Sequence, residues 1–173
     1  LLSTPLDGLI ALYREAERID ELIGLYQSHT EQYPDDAGAK AVLIQILNRE
    51  QREEAGELVT SSVALHPASS ALQYLLFQFL EARGDERALS ALSSAIDLEP
   101  NAVRRAKWLE ELLQLSEGEE ARALAAIQLQ KLLDGEGQSA GEFLSLAKLM
   151  QRFLFWELSL SALSKANESG LTP

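Results

Sequence analysis

Several residues in this chain have types that could do chemistry, and their spacing decides whether they do. His29 and His66 are its two histidines. An imidazole can ligate zinc or act as a general base, but a zinc centre needs further ligands at compatible spacing. Only carboxylates and apolar residues flank the two rings, and no third ligand is suitably spaced, so both read as helix-end residues. The chain has no cysteine, which removes disulfides, thiolate nucleophiles and cysteine-ligated zinc. Gly135-Glu136-Gly137-Gln138-Ser139-Ala140-Gly141 has the glycine density of a phosphate cradle. It follows a helical segment rather than a strand and lacks the Gly-Lys-Ser/Thr ending, so it reads as a linker.

The remaining candidates are equally plain. Thr60-Ser61-Ser62 and Ser93-Ser94 have no His or Lys in a nucleophile motif around them. Asn167-Glu168-Ser169 is a glycosylation acceptor only in a secretory protein. Glu53-Glu54 and Glu119-Glu120 open helical segments, where negative charge complements the helix dipole. The expectation is a protein that is not an enzyme, with no catalytic residue, no metal and no cofactor.

The 173 residues are 46% hydrophobic and 6% aromatic, rich in Leu, Ala, Glu and Gln. That composition favours helices over strands and is too apolar for a disordered tail. No apolar run is long enough for a membrane span. Fifteen Lys+Arg against 27 Asp+Glu leave a net charge of -12, which argues against nucleic acid as a partner. Leu1-Leu2-Ser3-Thr4-Pro5 has neither an initiating Met nor a signal pattern, so the chain reads as a piece of a longer protein.

The organising feature is a repeat. Pro34, Pro67 and Pro100 close the similar phrases Glu31-Gln32-Tyr33-Pro34, Ala64-Leu65-His66-Pro67 and Asp97-Leu98-Glu99-Pro100. Each interval holds two amphipathic segments, the sign of a helical repeat. In the clearest unit Ser69 or Ser70 caps a first helix with Leu72, Leu75, Leu76, Phe79 and Leu80 on one face. Gly84-Asp85 breaks it, and Ala88, Leu92 and Ala95 line a second helix. First helices elsewhere carry Leu6, Leu9, Ile10 and Tyr13; Ala39, Val42, Leu43 and Ile46; and Phe143, Leu146, Ala147 and Met150. Their second helices carry Leu22 and Tyr26; Ala55 and Val59; and Ser159, Leu163 and Ala166. The stretch 101–137 fits least, with Ala106, Leu109 and Leu113 on one helix and a second running from about Glu119 to Leu133. Thr4-Pro5 reads as a helix start and Ser139 with Glu142 as a capping box.

This pattern resembles the tetratricopeptide repeat (TPR). Ala88, Leu92 and Pro100 stand at its A, F and P places, while the Trp and Gly places of its first helix hold other apolar residues. The resemblance covers nearly the whole chain as about five units, residues 3–35, 36–68, 69–100, 101–138 and 139–171. It implies a single all-α domain, a right-handed α-solenoid whose first helices line a concave groove. It further implies a non-catalytic scaffold that binds a partner peptide or helix there. The alternative is the regulatory or targeting arm of a larger enzyme or secretion component.

Charge placement sharpens the expectation. The second helices and their leading turns hold much of the acid, the first helices more of the base and amide. An acidic shell would then surround a groove with basic spots, suited to an acidic peptide or a C-terminal carboxylate. The groove residues expected to bind are Lys40, Asn48, Gln73, Arg104, Lys107, Trp108, Lys148 and Arg152. Trp108 suits either an exposed anchor or a core position. Trp156 is expected at the inter-helix contact. Self-association through the repeat ends is a further possibility.

Overall fold

The computed structural model describes residues 5–115, 119–135 and 139–170. Within them the chain forms ten α-helices and no strand. They are α1 (Pro5–Glu15), α2 (Ile19–Gln32), α3 (Ala37–Arg49), α4 (Glu54–Leu65), α5 (Ser70–Glu81), α6 (Ala88–Leu98), α7 (Ala102–Gln114), α8 (Glu119–Asp134), α9 (Ala140–Arg152) and α10 (Trp156–Glu168). Consecutive helices pack as hairpins, α1 with α2 through to α9 with α10. The chain divides into two compact units, Leu1–Leu98 with three hairpins and Glu99–Pro173 with two. Thr4 and the middle of the glycine-rich linker lie outside the described residues.

In the first unit each helix packs on the next, and α3 also packs on α5. The apolar periodicity of α3 explains its central place. Leu43, Ile46 and Leu47 join Ile10, Leu22 and Ile23 in one cluster. Ala41 and Ile44, on another side of α3, join Val59, Leu72 and Leu75 in a second. So α3 buries two faces, and burial of each large aliphatic side chain contributes about 1.5–3 kcal/mol. Small residues on the second helices let backbones approach. A Cβ placed on Gly56 of α4 would lie 2.3 Å from Cε2 of Phe79 on α5.

Four first helices end in the same way. Glu17, Gln51, Gly84 and Leu154 each take a left-handed φ, of 57°, 54°, 64° and 63°. The next amide then donates back to a carbonyl one turn inside: Arg18 to Tyr13, Arg52 to Leu47, Asp85 to Leu80 and Phe155 to Met150, at 2.8–3.1 Å. This is the Schellman closure, which satisfies helix-end carbonyls. It makes Tyr13, Leu47, Leu80 and Met150 structurally equivalent. Tyr13, Leu80 and Met150 belong to the apolar faces read from the sequence, where Ile46 stands in place of Leu47. Only one of the four positions is glycine, which is why the sequence does not announce the motif.

Helix starts follow the expected chemistry. Asp36, Ser69, Asn101 and Ser139 each accept the amide of the residue three further on, and Ser139 with Glu142 completes a capping box. In the second unit α7 packs on α8, α8 on α9 and α10, and α9 on α10. Its core includes Trp108, Leu109, Leu112, Leu129, Leu133, Phe143, Met150 and Ala162. Ala106, expected on the inner face of α7, is exposed. The expected Leu109 and Leu113 are buried, joined by Trp108 and Leu112 in place of Ala106, because these bulkier side chains bury more apolar surface.

Candidate functional site

The expected binding residues fall into two groups. Four hold the framework. Lys40 on α3 is only 7% exposed, and its Nζ donates to Nε2 of His66 at 3.1 Å, the imidazole being the one acceptor of that pair. His66 caps the C-terminal end of α4 and also lies 3.2 Å from the Pro34 carbonyl. Gln73 is half-buried and donates to the Pro67 carbonyl at 3.1 Å, bracing the turn that enters α5. Trp108 is 5% exposed, so the core position is the one it takes. Arg104 is exposed at its tip but donates at 3.2 Å to Glu99, a buried carboxylate that also accepts the Asn101 amide.

The second group faces solvent. Asn48 is exposed near the end of α3. In the second unit Lys107 on α7 and Lys148 and Arg152 on α9 are all exposed. Arg152 donates to Glu110 of α7 at 2.6 Å, tying the two first helices of this unit together. Gly141, Ser145, Lys148 and Arg152 share one exposed stripe of α9 at i, i+4, i+7 and i+11. Glu110 was missing from the sequence reading, although its place three residues after Lys107 puts the two on neighbouring positions of α7.

The histidines serve turns. His29 Nε2 and Asp36 Oδ2 are 3.0 Å apart, joining the end of α2 to the cap of α3. Among the described residues no group of three or more His, Cys, Asp or Glu side chains gathers as metal ligands would. Asp85, Asp36 and Glu142, carboxylates with displaced proton affinity, sit at or just before helix starts, and another, Asp134, ends α8. The Arg87 guanidinium and amide pull Asp85 down to about 2. The Ala39 amide, then His29, lowers Asp36, and the Ser139 amide and hydroxyl lower Glu142. Among the described residues no helix is long and apolar enough to cross a membrane.

Trp156 departs from expectation. It is 58% exposed, and Phe155 takes the buried place beneath the Arg122 guanidinium, 4.5 Å from its ring centroid. The left-handed turn at Leu154 swings Phe155 inward and leaves Trp156 outward at the first position of α10. Trp156 lines a hollow of about 680 Å³ with Ile127, Leu154 and Leu158. The signal was present in sequence: α10 carries small residues at 159, 162 and 166 and large apolar ones at 156, 160 and 163, two stripes rather than one.

No family model matches the chain, and no curated protein matches it. Among solved structures it is similar to the crystal structure of MamA, a TPR-like protein. The TM-score is 0.51 at 17% sequence identity, over 98% of this chain and 96% of that one. The chain therefore has an all-α, TPR-like helical-repeat fold.

Proposed function

We propose that the protein is a non-catalytic interaction scaffold that binds an acidic segment or free carboxylate end of a partner protein. The binding surface is the first-helix face of the second unit, with Lys107, Lys148 and Arg152 as its contacts. Lys40, Gln73 and Trp108 support such faces from within. The observation that carries this reading is the exposure of Lys107 on α7 and of Lys148 and Arg152 on α9, the last paired with Glu110 of α7 at 2.6 Å. The chain as a whole is acidic, with a net charge of -12, so anions are disfavoured over most of its surface.

A titration with a fluorescent peptide of aspartates and glutamates ending in a free carboxylate tests this. Lys107→Ala with Lys148→Ala should weaken binding about tenfold, from roughly 0.7 kcal/mol per exposed charge pair. Raising the salt should weaken the wild type as well. Equal affinity for both proteins would refute the assignment of this face.

A further inference from the structure

A second exposed surface lies on α10. In α4 the buried residues Ala55, Val59 and Ser62 form one stripe. Of the residues one step further, Gly56 and Val63 meet α5 and Thr60 between them is exposed: Gly56 lies against Phe79, and Val63 packs on the cluster containing Leu72 and Leu75. The last helix repeats this geometry. Its buried stripe is Phe155, Ser159, Ala162 and Ala166. One step further come Trp156, Leu160 and Leu163, at i, i+4 and i+7, and these are 58%, 68% and 36% exposed. A helical stripe of large apolar side chains thus stands open beside the buried one. Its apolar side chains are large, where α4 offers a glycine and a valine.

The flank of the stripe states what covers it. One step further again stand Glu157, Ser164 and Glu168, all exposed. Glu168 accepts from the Ser164 hydroxyl at 3.1 Å, so the acidic edge is carried along the helix. We infer that Trp156, Leu160 and Leu163 form a docking face for an amphipathic helix of a partner protein, with Leu or Phe at helical spacing and Lys or Arg along the edge that meets Glu157 and Glu168. The inference goes beyond the carboxylate-binding reading, since it uses a different surface and the opposite ligand charge.

The test uses the full chain and two synthetic peptides of about 20 residues, long enough to be helical. Both carry Leu and Phe at i, i+3, i+4 and i+7; one has lysines on its flanks, the other glutamates. Trp156 emission reports occupancy, since Trp108 is buried. The lysine peptide should bind saturably, shift that emission to the blue, and bind about tenfold tighter than its glutamate twin at low salt, with the gap closing as salt rises. Leu160→Ser with Leu163→Ser, both at exposed positions and checked for helicity by circular dichroism, should weaken it by at least about tenfold. These substitutions leave Lys107 and Lys148 intact, so acidic-peptide binding should persist and separates the two readings. Equal binding of both peptides, or affinity untouched by the double substitution, overturns the inference. So does a concentration-dependent mass in sedimentation that the double substitution abolishes, because the occupant is then a second copy of this chain.

Discussion

A guanidinium at position 104 can be read as a ligand for a partner or as the counter-charge of a buried carboxylate, and the surroundings decide. The Glu99 side chain is nearly fully buried and has Arg104 and the Asn101 amide as hydrogen-bond donors. Removing one partner of a buried carboxylate costs more than removing an exposed charge. Arg104→Ala should therefore destabilise the protein by about 1–3 kcal/mol in urea unfolding, while Lys148→Ala should change stability by less than about 0.5 kcal/mol. The carboxylates at helix starts make a second prediction. Asp85 is held at about 2 by Arg87, below its ordinary 3.8. A depressed pKa means the charged form favours the folded state, so this contribution is whole above pH 3.8 and lost as pH falls toward 2. Asp36 and Glu142 shift in the same direction. Melting temperature should fall across that window, and Asp85→Asn should flatten part of the fall. Such roles were only partly legible in sequence. Lys40 and Gln73 read as groove residues because polarity at a helical position says nothing about a neighbour 26 residues on, such as His66.

At the scale of the element, most helices were legible because apolar periodicity and caps agree. Helix α8 runs Glu119–Asp134, close to the interval that its leucines and the following Asp-Gly suggest. The helix ends were less so. Four first helices close through left-handed residues of which only Gly84 advertises the conformation, and Glu17, Gln51 and Leu154 adopt it because the back-directed hydrogen bond offsets the strain. The α4–α5 contact supplies an element-level prediction. Gly56→Leu copies at the α5-facing edge of α4 the kind of side chain that α10 exposes, and it would collide with the Phe79 ring. Overpacking of this kind costs about 1–3 kcal/mol, so the variant should unfold at lower denaturant than the wild type. A mutant as stable as wild type would show that α5 does not sit so close.

At the scale of the whole molecule, the repeat was visible from three prolines, and the division at Leu98 and Glu99 was not. Periodicity reports that units recur, whereas compactness depends on how much each hairpin buries against its neighbours. Three stacked hairpins are about the minimum that sustains a repeat fold. Residues 1–98 should accordingly melt cooperatively as an isolated fragment, while residues 99–173, with two hairpins, should melt at lower temperature with a broader transition by circular dichroism. The central claim is that the exposed base of α7 and α9 receives a partner. Its most direct measurement places a photo-cross-linking residue at position 107, at 148 and, as a control on an acidic exposed face, at 57, in lysate of the native organism. The account predicts one protein captured at both 107 and 148, competed by an acidic peptide and not captured at 57. Capture at 57 alone, or capture at 107 and 148 that the peptide leaves unchanged, would contradict it.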